Sequence, residues 1–288
     1  MKALIVGAAG QLGRALIGNV PADVAAIGLD RSQLDVTNAA AVAASVRLHR
    51  PDMVINASAY TAVDLAESEP QKAFAINANA VGQLAGICAA ASTRCIHIST
   101  DFVFDGSLGR PYRPDDATHP LGVYGASKLA GEQKIAAHAG LDWTVVRTSW
   151  VYASTGRNFV LTMLRLFNER PVVRVVADQI GTPTSASSLS ECVWRAATSG
   201  KLRGIAHFTD AGVASWYDFA LAIYEEASQL GLVNKSVEVQ PIQTRDYPTP
   251  ARRPSYSVLD ATATTAALGL TSVHWRTNLR RVLRELRA

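Results

Sequence analysis

Tyr124 and Lys128 stand four residues apart in the segment Tyr124-Gly-Ala-Ser-Lys128. On a helix that spacing puts both side chains on one face. A phenol, with an ordinary pKa of about 10, is a poor acid–base catalyst at neutral pH. An ammonium one turn away favours the phenolate and draws that pKa toward the working range. Such a pair can give a proton to a carbonyl oxygen or take one from an alcohol. Ser99-Thr100 adds a hydroxyl that can orient a carbonyl and share the proton of Tyr124. Taken alone, Ser-Thr reads as a strand-end cap and Tyr/Lys as a pair on a helix surface. Together they form a hydroxyl, phenol and ammonium set with distinct tasks.

A hydride carrier is suggested by Gly7-Ala-Ala-Gly10-Gln11-Leu12-Gly13, which follows the apolar run Leu4–Val6 and opens a helical stretch. Glycines allow a tight turn and a close approach to a pyrophosphate, and the helix N-terminus supplies N–H donors and a favourable dipole. The spacing differs by one residue from G-x-G-x-x-G, but the strand–turn–helix context is the one that motif needs. Asp30 ends the second apolar run, 23 residues after Gly7, where a carboxylate can accept from a ribose 2′-OH and favour NADH. Arg31 beside it can pair with a 2′-phosphate and favour NADPH. Both residues are present, so both cofactors stay open. Asp35-Val36 can hold the adenine edge.

The elements that must position these residues alternate. Leu4–Val6, Val24–Leu29, Met53–Ile55, Arg94–Ile98 and Trp143–Arg147 read as strands. Gln11–Val20, Asn38–His49, Gln71–Ala91 and Tyr124–Ala139 read as helices between them. That order implies right-handed βαβ units: a Rossmann-type, doubly wound parallel α/β sheet with helices on both faces. Ligands bind such sheets at the carboxyl ends of the strands, where Gly7, Asp30, Asn56, Ser99-Thr100 and Arg147 lie. The expected division is a dinucleotide-binding domain over residues 1–150, joined by parts of 184–210. Residues 151–288 mostly form a smaller, discontinuous C-terminal substrate lobe. Its helices are expected at Asn158–Phe167, Ser187–Ala197, Trp216–Leu230 and Trp275–Leu286, with a strand at Val172–Val176 and a polar, proline-rich stretch from Ile242 to Tyr256.

The bulk composition narrows the class. With 288 residues, 48% hydrophobic and 18% charged, the chain can bury a sizeable core. A net charge of +4 without any Lys/Arg block interleaved with aromatics gives no sign of nucleic-acid binding. The three cysteines, Cys88, Cys95 and Cys192, form no CxxC and no disulfide framework. No apolar run looks long enough to cross a membrane. The expectation is a cytoplasmic protein, monomer or homodimer, with no nucleic-acid or membrane partner.

Further segments sharpen this: Asn56-Ala57-Ser-Ala59-Tyr60-Thr-Ala-Val-Asp64, Ile76-Asn77, Ser99-Thr-Asp-Phe-Val-Phe-Asp105-Gly106, Arg147-Thr-Ser-Trp150-Val-Tyr152, Asp178-Gln-Ile-Gly-Thr-Pro-Thr184 and Arg253-Pro254. With the glycine and Tyr/Lys motifs they make the chain resemble the extended short-chain dehydrogenase/reductases and, more narrowly, the dTDP-4-dehydrorhamnose reductase family. The resemblance runs nearly the whole length. It implies reduction of the 4-keto group of dTDP-4-dehydro-6-deoxy-L-mannose, the last step toward dTDP-L-rhamnose, with NADPH or NADH. Tyr124 would be the general acid, Lys128 would hold the nicotinamide ribose and tune Tyr124, and Thr100 would bond the keto oxygen. Gly7, Gly10, Gln11, Leu12, Gly13, Asp30, Arg31, Asp35, Val36, Ala57, Ala59, Tyr60 and Asn77 would line the cofactor. Trp150 would bound the sugar pocket beside Phe102, and Gln179, Thr182 and Arg253 would hold the nucleotide diphosphate of the dTDP-sugar.

Two departures count. Position 102 is phenylalanine where the family often has tyrosine, a loss of one hydroxyl. Position 15 is alanine where some members place a metal-binding glutamate, so no metal site is carried over. Related dehydratases follow the threonine with two carboxylates, whereas Thr100 is followed by Asp101 and Phe102. That favours plain reduction over dehydration or epimerisation. A non-catalytic, NAD(P)-binding regulatory subunit is the reading outside enzymes, and the intact Thr100, Tyr124 and Lys128 set speaks against it.

Overall fold

The computed structural model of the chain describes residues 1–287. Along β1 (Lys2–Val6) successive apolar side chains enter different cores: Ala3 and Ile5 on one face, Leu4 and Val6 on the other. A strand apolar on both faces needs helices on both sides, and the chain supplies them. It continues through α1 (Gln11–Gly18), β2 (Ala25–Leu29), α2 (Ala39–His49), β3 (Met53–Asn56), α3 (Val63–Ser68) and α4 (Pro70–Phe74). A π turn (Ala75–Asn79), α5 (Ala80–Ala90), β4 (Arg94–Thr100), a 3-10 turn (Asp101–Val103), α6 (Val123–Ala136) and β5 (Trp143–Thr148) follow. The five strands pair in parallel in the order β2-β1-β3-β4-β5.

Beyond β5 come β6 (Val151–Tyr152), α7 (Phe159–Glu169), β7 (Val172–Val176), β8 (Ile180–Gly181), β9 (Thr184–Ser185) and α8 (Ala186–Ser199). β10 (Gly204–His207) then returns to the main sheet and pairs in parallel with β5. The chain ends with β11 (Ala214–Ser215), α9 (Trp216–Gln229), β12 (Glu238–Ile242), α10 (Thr262–Leu268) and α11 (Trp275–Arg287).

The doubly wound sheet expected from the alternation is present. Leu12 and Leu16 of α1 and Leu189, Val193 and Trp194 of α8 cover one face. Val42 and Val46 of α2 and Leu84 of α5 cover the other, extended by Val81 and Ile135. A separate core gathers Tyr152 of β6 with Phe167, Phe219, Ile223, Trp275 and Leu279 from α7, α9 and α11 around the β7–β12 pair. A Ser215–Asp218 capping box starts α9.

Three features differ from the expected elements. The helix expected from Gln71 to Ala91 is interrupted by the π turn, where Asn77 Oδ1 accepts from Tyr60 N at 2.8 Å and Nδ2 donates to Tyr60 O at 3.0 Å. Such bulges cluster at functional sites. The helical run Pro70–Ala90 is 21 residues long and holds an 18-residue window of mean hydropathy 1.3, enough by length and composition to cross a membrane. Here its apolar side chains pack between α2 and α6 on the sheet. β12 was hidden by Pro241, which an edge strand tolerates because it has no ladder partner to lose on its open side.

Candidate active site

The strand order reverses between β1 and β3, so a crevice opens there. Gly7 turns out of β1 with φ 85°, and a β-carbon on it would come within 2.7 Å of Ser58 N beyond β3. A β-carbon on Gly13 would drive into the Gly7 carbonyl oxygen, so glycine lets α1 pack close to the turn. Gly10 is the N-cap of α1, with no side-chain cap and no acidic residue in the first turn, which leaves the helix N–H groups for an anion. The Leu12 side chain lies in the core, so its offering to a ligand is backbone only. Gln11 reaches across to the opposite lobe: Nε2 donates to Arg157 O at 3.3 Å and Oε1 accepts from Asn158 Nδ2 at 2.9 Å.

At the end of β2, Asp30 Oδ1 accepts from Ser32 N at 2.8 Å, Ser32 Oγ at 2.6 Å and Gln33 N at 3.2 Å. These bonds, the Ser32 side chain foremost, hold its carboxyl below the usual range. Asp35 caps its own turn through Thr37 in the same way, and Val36 is buried in the core. Arg31 is exposed and carries no ion pair among the described residues. Ala57 and Ala59 follow β3 half-buried. Tyr60 is buried, its hydroxyl donating to Glu69 Oε2 at 2.7 Å. Asn77 is fully engaged with Tyr60 and with Ser127 Oγ at 3.0 Å, so it braces the 57–60 segment. Asn56 Nδ2 and Ser99 Oγ are buried at the strand ends without protein partners. Buried polar atoms normally find partners, and the glycine cradle beside them suits a polar dinucleotide.

Tyr124 and Lys128 lie in the first half of α6, and Val123 N donates to Glu67 Oε1 of α3 at 2.8 Å, fixing the start of that helix. The Tyr124 ring meets Phe102 edge-on, 5.7 Å between centroids at 79°. Burial pushes the phenol up to about 12, and the Asp101 charge adds to this while a hydrogen bond with Thr100 opposes it. This corrects the expectation that Lys128 draws the phenol toward neutrality. The Lys128 ammonium instead donates to Ile98 O at 2.6 Å and lies 3.2 Å from His97 Nε2. Burial pulls Lys128 down to about 8, against the opposing charge of Glu132. Thr100 Oγ1 donates to Asp101 Oδ1 at 3.0 Å and accepts from Phe102 N at 3.2 Å. Burial raises Asp101 to about 6 despite its bonds from Ser257, Thr100 and Phe102. Arg147, one residue before the end of β5, is turned into the protein as a buried pair with Glu132, Nη2 to Oε2 2.7 Å.

The second lobe carries a cleft of about 610 Å³ lined by its own residues, among them Phe159, Val175, Gln179, Trp216, Tyr247 and Arg253. Trp150 stacks flat on Trp216, 3.5 Å between centroids at 7°. Its backbone takes φ 47°, and its indole covers Gly181, where a β-carbon would come within 2.6 Å of the ring. Gln179 Nε2 donates to Thr244 Oγ1 at 3.1 Å. Arg253 lines the cleft, and its neighbours Ala251, Arg252 and Pro254 border Tyr124 and Phe102. Thr182 is placed elsewhere than expected: it is buried outside this cleft, its hydroxyl donating to Gly212 O at 3.0 Å. Four residues were not anticipated as parts of the site: Trp216, Asp64, Glu67 and His97. Asp64 lay in a segment that carries the resemblance but without an assigned role, and the other three showed only their chemical type, since each acts through a neighbour distant in the chain.

The family model described as RmlD substrate binding domain matches residues 1–288. A dTDP-4-dehydrorhamnose reductase of Sinorhizobium fredii is 40% identical over 98% of this chain and 97% of its own. The crystal structure of a dTDP-4-dehydrorhamnose reductase from Clostridium acetobutylicum superposes with a TM-score of 0.93 at 36% identity, covering 100% of both chains. That of the Bacillus anthracis enzyme, in complex with NADP, gives 0.92 at 35% identity, covering 99% of both chains. With a family model matching from end to end and a relative this similar over nearly its full length, the chain belongs to the RmlD family, that of the dTDP-4-dehydrorhamnose reductases.

Proposed function

We propose that the protein reduces the 4-keto group of dTDP-4-dehydro-6-deoxy-L-mannose to give dTDP-L-rhamnose. The observation that carries this reading is the phenol of Tyr124, held protonated up to about 12 beside Thr100, with no carboxylate at position 102. A proton donor is what a carbonyl needs as hydride arrives, and a dehydratase would want a second carboxylate. With its pyrophosphate held at the Gly7 turn, a reduced nicotinamide dinucleotide would supply the hydride. Thr100 bonds the keto oxygen, Tyr124 gives it a proton, and the Lys128 ammonium holds the ribose. Trp150 and Trp216 wall the sugar, and Gln179 and Arg253 take the diphosphate, for which a guanidinium fork is well shaped.

We read the cofactor as NADPH in preference to NADH. Asp30 is already engaged by its own turn, and exposed Arg31 beside it can meet a 2′-phosphate. The division of labour places the cofactor on the six-stranded sheet and the sugar nucleotide against the α7–α9–α11 lobe. The free, buried cysteines suit the reducing cytoplasm. The test is spectroscopic, following NADPH or NADH absorbance with the 4-keto sugar nucleotide as substrate. Stoichiometric NADPH consumption with formation of dTDP-L-rhamnose is expected. Turnover that consumes no reduced cofactor would sink the reading.

A further inference from the structure

Behind Lys128 lies a titratable group that the proposed reaction does not use. His97 is on β4 and fully buried. Its Nε2 stands 3.2 Å from the Lys128 ammonium, which also donates to Ile98 O at 2.6 Å. An ammonium has three protons to give and no lone pair to accept with. Nε2 must therefore be the acceptor, and the ring proton belongs on Nδ1, the atom left without a protein partner. A protonated ring would set two cations side by side away from water. Burial first, and the Lys128 charge second, hold the imidazole well below its usual pKa, so the neutral ring is the form present.

We infer that His97 is a positioning residue for Lys128, its neutral imidazole fixing the ammonium from the sheet side through Nε2. This rests on the proposed role of Lys128 in the reduction. With the Ile98 carbonyl it occupies two of the three ammonium protons. The third remains for the ribose and phenol side, so the direction of that proton is set by β4 and not by the flexible lysine stem.

The groups around the pair are few. From α6 come Tyr124 and, one turn beyond Lys128, Glu132. Glu132 is neutralised by Arg147 of β5, at 2.7 Å. Asp101 follows β4, and from β3 the register partner of His97 is the neutral Asn56. α5, on the same face of the sheet, carries Cys88 and no charged residue.

The experiment compares the pH profile of kcat for the wild type, H97L and H97Q with NADPH and the keto sugar nucleotide. Loss of an acceptor weakens the charged form of Lys128. In H97L the alkaline limb should therefore move down by about one pH unit, a tenfold change in proton affinity. H97Q, whose amide oxygen can accept, should restore the wild-type limb. A uniform fall at every pH with the limb unmoved would overturn the inference. ¹⁵N NMR of the wild type tests it without any variant. A neutral ring protonated on Nδ1 is expected, and a proton on Nε2 overturns the proposal even if H97L fails to fold. Absence of wild-type turnover would instead strike at the proposed reaction, so the two failures are distinguishable.

Discussion

Asp64 and Arg253 meet as a fork on a fork: Nη1 donates to Oδ1 at 3.1 Å and Nη2 to Oδ2 at 2.9 Å. The guanidinium side chain therefore faces the cleft already oriented, and its pairing holds the Asp64 carboxyl below the usual range. Hydrogen bonds to charged groups contribute about 1.5–3 kcal/mol, so Arg253→Ala should raise KM for the sugar nucleotide by about 10- to 100-fold. Asp64→Asn should raise it by several-fold, with kcat and the KM for NADPH nearly unchanged. Steady-state kinetics in both substrates checks this, and an equal effect on both KM values would place Arg253 outside the sugar-nucleotide site.

Tyr124→Phe should keep cofactor affinity while losing about 10²- to 10⁴-fold in kcat, the range for a missing general acid. The phenol keeps its proton up to about 12, so the donor is present throughout the physiological range. Lys128 titrates first on the alkaline side, and kcat should fall as pH rises through about 8. Fluorescence titration of NADPH with the variant, beside a pH–rate profile of the wild type, separates the two statements.

Glu67 governs the same tyrosine from another helix. Its carboxylate accepts from Val123 N, one residue before Tyr124. Removing a helix N-terminal acceptor of this kind costs about 0.5–2 kcal/mol. Glu67→Ala should lower both Tm and kcat, and Glu67→Gln, which keeps an acceptor oxygen, should recover most of both. A Glu67→Gln variant as impaired as Glu67→Ala would show that the charge matters and the bond does not.

Asp101 makes a prediction about stability. Its folded pKa of about 6 lies above the ordinary carboxylate value of 3.8, so its contribution is fully present below the unfolded value and is lost as pH rises through 6. At pH 7 the buried carboxylate therefore costs the fold about 2–3 kcal/mol. Asp101→Asn should be more stable than the wild type at pH 7, and the advantage should vanish near pH 4. Paired denaturant titrations at the two pH values measure it. A constant difference would mean that Asp101 does not titrate with folding.

What could be read before the structure was what is local. The Gly7 turn and the Tyr124–Lys128 pair announce themselves because a strand, a turn and one helical step fix their geometry. The same reasoning mistook Thr182, whose hydroxyl faces Gly212, because a loop residue's direction is set by what packs on it. It also foresaw a phenol tuned by its lysine, whereas burial dominates, opposed by the Thr100 bond. Trp216 and His97 escaped notice because a stacked indole or a buried imidazole has no spacing signature. Their partners Trp150 and Lys128 come from other elements. The Phe102 departure was legible, and its ring stays against Tyr124 at 5.7 Å without a hydroxyl to offer.

β10 enters the main sheet with residues 204–207, after the chain has already built β6 to β9, α7 and α8. A ribosome that has released only the first five strands has therefore released a sheet whose β5 flank is still bare. Until His207 emerges, the inward-facing Val145 and Val146 border an open edge of the kind that invites pairing with another nascent chain. The two lobes are thus interleaved in time as well as in space. Neither can be finished first, and slow synthesis between Thr148 and Gly204 should be the interval in which this protein most needs a chaperone.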